Sequence, residues 1–218
     1  MIIKVCGMKH PENMKAVASA GPDVMGLIFY GKSPRYFEGM LPELPESLKM
    51  AGVFVNAEVE TVLEKATKYG LSYLQLHGDE TPEYCTALRS ALKASGNRAE
   101  LIKVFSVAGE DDLSGSDKYE NCADYFLFDT KGKNRGGNGL QFNWQVLQAY
   151  KLQIPFLLSG GIGPEDLKAL EGFLLSPEGR NCVGIDVNSG FELEPGLKDD
   201  KRLKNFISRI RETENIKN

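Results

Sequence analysis

Short apolar runs recur along the chain, and between them the hydrophobic positions take the spacing of a helix. Eight runs predict strands: 2–6, 24–29, 50–55, 73–77, 101–105, 125–129, 156–159 and 183–187. The segments between them are amphipathic. In 58–69, Val59, Val62, Leu63 and Ala66 share one helical face, and in 82–92 Cys85, Leu88 and Leu92 do the same. Strands alternating with helices predict a parallel sheet. Spread over eight repeats, the chain leaves about 27 residues per unit, close to the smallest closed barrel. The expectation is therefore an α/β protein, a single (β/α)8 barrel over residues 1–218. The competing architecture is an open doubly wound sheet. Such sheets usually have about five or six strands, and no G-x-G-x-x-G follows the first strand, where a dinucleotide fold carries it.

The last two strands run into turns suited to an anion. Residues 155–158 end in Ser159-Gly160-Gly161-Ile162-Gly163, with Pro164-Glu165-Asp166 opening a predicted helix. The strand Gly184-Ile185-Asp186-Val187 runs into Asn188-Ser189-Gly190. Backbone N–H groups approach a phosphate closely only where side chains are small, and a helix starting there adds its positive dipole end. In (β/α)8 barrels the loops after the seventh and eighth strands commonly build the phosphate site. Phosphate binding is thus expected at Gly160, Gly161, Ser189 and Gly190, with Asn188 as a further donor.

Composition narrows the class of function. The chain is 42% hydrophobic and 26% charged with net charge −4, and no apolar run approaches the length of a membrane span. A nucleic-acid or membrane partner is not expected, and an acidic ligand must be held by local cations and backbone dipoles. Met1-Ile2-Ile3 enters a strand directly, which predicts no leader and a cytoplasmic protein. Cys6, Cys85, Cys122 and Cys182 are widely spaced without a C-x-x-C, so neither a zinc site nor a disulfide framework is expected.

Barrel enzymes place chemistry at the C-terminal ends of strands. The reactive residues there are Cys6, Arg35, His77, Asp129 and Asp186. With their neighbours they form an ordered set: Lys4-Val5-Cys6-Gly7-Met8, Ser33-Pro34-Arg35, Leu74-Gln75-Leu76-His77-Gly78, Phe128-Asp129-Thr130, Gly136-Gly137-Asn138-Gly139, Ser159-Gly160-Gly161 and Gly184-Ile185-Asp186-Val187-Asn188-Ser189-Gly190. This set resembles the phosphoribosylanthranilate isomerase family of tryptophan biosynthesis, across the whole chain and in order. The sequence departs from the family pattern at Asn138, Asn143, Ser159 and Ile162, where the family commonly has Thr, Asp, Ala and Leu.

The resemblance implies an Amadori rearrangement of an aminoaldose to an aminoketose by general acid–base catalysis, with neither metal nor cofactor. It gives the acid to Asp129, the base to Cys6, and the anthranilate carboxylate to Arg35. Asp186 is implied as a contact to a ribose hydroxyl or the anilino nitrogen. To hold a proton at neutral pH Asp129 needs a pKa raised by burial. Cys6 needs only modest lowering, by Lys4, Lys9 or His10. His77 reads as structural and Gln75 as a polar filler of the barrel interior. The loop Lys131-Gly132-Lys133-Asn134-Arg135 is expected to close over the anionic substrate. The ligand is expected to be a small phosphorylated molecule and the protein a monomer or weak homodimer; the length argues against fusion to a neighbouring enzyme. Two other readings stay open: a different sugar-phosphate isomerase or epimerase, and a non-catalytic phosphate-binding barrel.

Overall fold

The computed structural model describes residues 1–131 and 143–217. Eight parallel strands close on themselves in chain order: β1 (Ile2–Val5), β2 (Val24–Ile28), β3 (Lys49–Phe54), β4 (Tyr73–Leu76), β5 (Glu100–Val107), β6 (Tyr125–Thr130), β7 (Phe156–Leu158) and β8 (Cys182–Val187). Closure is the pairing of β1 with β8, which sets Lys4 opposite Asp186. The barrel agrees with the fold expected from the sequence, and the strand bounds differ by a residue or two.

Helices cover four of the connections, α1 (Pro11–Ala18), α2 (Val59–Tyr69), α3 (Pro82–Ala94) and α4 (Leu167–Leu175), and α5 (Asp200–Lys217) follows the last strand. α2 buries Val62, Ala66 and Tyr69, and α3 buries Cys85, Leu88 and Leu92, the faces their spacing predicts. Thr81 caps α3, its hydroxyl accepting from the Tyr84 N–H, and Pro82 fills the first turn, where no donor is needed. α2 ends at Gly70 in the left-handed conformation. The other connections differ. Residues 29–48 contain no helix, and the β5–β6 connection is made by 3₁₀ turns at Glu110–Leu113 and Ser116–Tyr119. A further 3₁₀ turn, Trp144–Ala149, precedes β7.

The strands' two-residue period divides the core. Ile3 and Val5, Leu74 and Leu76, Phe126 and Phe128, and Ile185 and Val187 face outward into the layer beneath the helices. Inside the barrel, Val24, Ala51, Tyr73, Ile102, Val104, Leu127 and Leu157 form a separate apolar cluster. Above it, toward the C-terminal strand ends, the interior turns polar: Lys4, Gln75, Asp129 and Asp186 are all buried. The apolar plug supports the mouth from below.

Candidate functional site

At that mouth is an open cleft whose walls include Cys6, Arg35, Gln75, His77, Asp129, Gly160, Gly161, Asp186, Asn188, Ser189 and Gly190. Every site residue expected from the sequence lines it. Those residues come from β1, β4, β6 and β8 and from the turns after β2, β7 and β8, so barrel closure alone brings them together.

Asp129 lies at the end of β6, with Oδ1 accepting from the Thr130 N–H at 2.9 Å. Burial, reinforced by the nearby negative charge of Asp186, pushes its carboxyl up to about 6. It therefore holds a proton far more readily than an ordinary aspartate. His77 follows β4 within the same cleft, its Nε2 3.5 Å from Asp129 Oδ2. The sequence reading made it a structural residue of the strand end; here the ring faces the carboxyl group.

Cys6 follows β1. Gly26 on the adjacent β2 makes room for it: a Cβ at that position would lie 2.9 Å from the Cys6 sulfur. Directly below, two residues back on the same interior face, Lys4 is fully buried and donates from Nζ to Asp186 Oδ1 at 2.8 Å. Burial works against the Lys4 charge, yet Asp186 and then Cys6 hold the ammonium above the usual lysine value. The expectation of a modestly lowered Cys6 pKa is corrected: burial dominates and pushes the thiol up, with Lys4 the largest opposing influence. Burial raises the Asp186 carboxyl as well, against the pull of Lys4. Of the cations considered from the sequence, it is Lys4 that faces the thiol. Lys9 is directed to the Pro34 carbonyl at 3.2 Å, and His10 is exposed at the start of α1.

Arg35 is already engaged. Its Nε donates to Glu192 Oε1 at 2.9 Å and its Nη2 to Glu192 Oε2 at 2.6 Å. Lys198, buried in a short hairpin of β9 (Glu192–Glu194) and β10 (Leu197–Lys198), donates to Glu192 Oε1 at 2.7 Å and to Asn188 Oδ1 at 2.6 Å. Burial opposes the Glu192 charge, but the Arg35 and Lys198 hydrogen bonds hold its carboxyl below the usual range. Sequence reasoning missed Glu192 and Lys198. The signal was the Pro195-Gly196 turn, which folds Lys198 back beside Glu192.

The two anion-friendly turns are present. Gly160 and Gly161 have φ of 90° and 68°, and a side chain on Gly160 would collide with Thr130. Gly190 packs against the Ile162 carbonyl with no space for a Cβ. One expectation is corrected: the segment after β8 is a 3₁₀ turn, Ser189–Phe191, rather than an α-helix, so it contributes backbone N–H groups without an α-helix dipole. With Asn188 Oδ1 bound by Lys198, the side-chain NH₂ is the end left to donate. Lys131 pairs with Asp112 at 2.6 Å. The remainder of the expected closing loop, Lys133 and Arg135, and the glycines Gly136, Gly137 and Gly139, lie outside the described residues. Among the described residues, no group of three His, Cys, Asp or Glu side chains is placed to hold a metal ion, no helix is long and apolar enough to cross a membrane, and the cysteines are free thiols.

A parallel eight-stranded barrel whose C-terminal mouth sets a thiol and a proton-holding carboxyl group around one cleft has the layout of the (β/α)8 acid–base isomerases. The comparisons narrow that class. A family model for N-(5'phosphoribosyl)anthranilate (PRA) isomerase matches residues 3–209. The N-(5'-phosphoribosyl)anthranilate isomerase of Phocaeicola vulgatus is 49% identical over 212 residues, covering 97% of this chain and 98% of that one. The enzyme of the same name from Thermotoga neapolitana is 34% identical over 219 residues, covering 96% and 98%. Among solved structures, the phosphoribosyl anthranilate isomerase of Thermotoga maritima superposes with a TM-score of 0.80 at 31% identity, covering 97% of this chain and all of that one (100%). Another, solved in complex with reduced 1-(o-carboxyphenylamino)-1-deoxyribulose 5-phosphate, gives 0.77 at 29% identity with coverage of 97% and 100%. The chain belongs to the N-(5'-phosphoribosyl)anthranilate isomerase family.

Proposed function

We propose that residues 1–218 act as one catalytic barrel domain that converts N-(5-phosphoribosyl)anthranilate to 1-(2-carboxyphenylamino)-1-deoxyribulose 5-phosphate, a step of tryptophan biosynthesis. The observation that carries the mechanism is the meeting of Cys6 with a carboxyl group raised to about 6, Asp129, in one cleft.

In the proposed reaction Asp129 gives its proton to the furanose ring oxygen as the C1′–O bond breaks, and the nitrogen lone pair closes a protonated C1′=N Schiff base. The Cys6 thiolate takes the proton from C2′. The C–H electrons become the C1′–C2′ double bond and neutralise the nitrogen, giving an enolamine. Moving a proton from the 2′-hydroxyl to C1′ then yields the ketone. Asp129 ends ionised and Cys6 protonated, and exchange through solvent resets both. The acid is suited to its task because ionisation in this buried place is costly. The base works against burial, and the Lys4 ammonium beside it is the charge that favours the thiolate.

Substrate would lie across the mouth with its phosphate on Gly160, Gly161, Ser189, Gly190 and the Asn188 amide. Its carboxylate would meet the edge of Arg35 that Glu192 leaves open, and Asp186 would reach a ribose hydroxyl or the anilino nitrogen. Arg35 then binds as a fork fixed in advance, which lowers the ordering cost on binding. We further propose a cytoplasmic monomer or weak homodimer that takes a small phosphorylated molecule rather than nucleic acid or lipid.

The test is to generate phosphoribosylanthranilate in situ, add the protein, and follow loss of substrate fluorescence for wild type, Cys6→Ser and Asp129→Asn. Turnover that each substitution lowers by about 10²–10⁴-fold supports the assignment. Turnover unchanged by both overturns these roles, and no turnover by wild type overturns the reaction.

A further inference from the structure

Gln75 lies at the floor of the cleft, on β4 one turn of the pleat below His77, and is 2% exposed. Its Oε1 is buried without a hydrogen-bond partner among the described residues. Its strand neighbours at the same level, Val53 on β3 and Ile102 on β5, carry no side-chain donor. Buried acceptors left unpaired are rare, because each forfeits its hydration with nothing in return. Gln75 also lines the cleft, which places this acceptor within reach of whatever occupies it.

We propose that the Gln75 carbonyl oxygen accepts a hydrogen bond from the anilino N–H of the substrate, an inference that rests on the isomerase reading above. The ends of the substrate are fixed by the turns after β7 and β8 and by Arg35 after β2. C2′ must face Cys6 on β1, and the ring oxygen must face Asp129 on β6. The ribose hydroxyls then lie toward β8 and Asp186, on the phosphate side. β4 stands across the barrel from β8, beneath the anilino end. The donor on that side is the nitrogen. Its N–H gains acidity when the Schiff base forms, so a neutral carbonyl oxygen there binds the cationic intermediate more tightly than the aminoaldose and lowers the barrier to ring opening. A carboxylate in that place would trap the cation, and an apolar side chain would give it no partner.

The experiment uses two stable probes: the reduced product analogue, with its arylamine N–H, and the matched ether in which oxygen replaces that N–H. Binding of each is measured calorimetrically to wild type and Gln75→Met, alongside turnover of phosphoribosylanthranilate and a thermal melt confirming that the variant is folded. The proposal expects wild type to prefer the amine about tenfold and Gln75→Met to lose that preference, with kcat of the variant falling more than KM rises. Equal amine and ether affinities in wild type, or an equal preference in both proteins, overturn the proposal. Absence of turnover by wild type overturns the isomerase reading instead.

Discussion

Two buried lysine–carboxylate pairs of equal length stand in different parts of this barrel. Lys4 and Asp186 meet at 2.8 Å inside it, under the thiol; Lys103 and Glu80 meet at 2.8 Å outside it, between β5 and the loop after β4. The second pair is saturated. Glu80 accepts from the backbone N–H groups of Asn56 and Gly78, and Lys103 also donates to the Gly78 carbonyl. The first has reactive neighbours instead: Cys6 beside the ammonium, and Asp129 close enough to feel the Asp186 charge. A saturated pair stitches loops together, whereas a pair facing a thiol and a carboxyl group sets their protonation. Two pairs of equal length thus serve stability in one place and chemistry in the other.

The contrast breaks down most visibly if Glu80 is removed. Glu80→Ala strands a buried ammonium and two backbone donors, so chemical denaturation should show a loss of about 3–5 kcal/mol, while kcat/KM of the protein that remains folded changes less than threefold. The mouth should respond in the opposite sense. The Asp129 carboxyl, raised from 3.8 to about 6, is disfavoured in its ionised form by folding. Wild type therefore loses stability as pH rises between those values and does not regain it above them. Asp129→Asn removes that penalty. It should be more stable than wild type by about 3 kcal/mol at pH 7.5 and by almost nothing at pH 3.5, as paired melts at the two pH values would show, although its turnover is strongly reduced.

Lys4→Met sharpens the comparison further. Without the ammonium the thiolate is less favoured and the buried Asp186 takes up a proton, so kcat/KM should fall about 100-fold. Adding Asp186→Asn should restore stability lost in the single variant and leave activity low. Smallest is the effect of Glu192→Gln, which loosens the Arg35 fork: KM should rise about fivefold with kcat nearly unchanged in steady-state assays.

The strands were legible as short apolar runs, because both faces of a closed parallel barrel are buried, whereas which cation faces Cys6 was not. The phosphate turns and the acid were legible because small residues and an isolated Asp sit at strand ends. Partners across the closure were not. Asp186 lies 182 positions from Lys4, and Glu192 lies 157 from Arg35, distances that only the meeting of β1 with β8 makes short. The direction of the Cys6 shift was also hidden, because it is a contest between burial and a neighbouring charge that composition does not weigh. His77 read as structural because nothing in its own strand reveals that β6 turns a carboxyl group toward it.

The most direct test of the acid–base pair is kcat/KM against pH for wild type and Lys4→Met. The fraction of protonated Asp129 falls tenfold per pH unit above about 6, and the fraction of Cys6 thiolate rises tenfold per unit up to its raised pKa. Their product gives a limb near 6, a plateau through neutral pH and a fall only in the alkaline range. In Lys4→Met the plateau should drop and the alkaline limb move up. A wild-type rate that climbs with a single ionisation near that of a free cysteine, or a Lys4→Met profile that superposes on wild type, would contradict it.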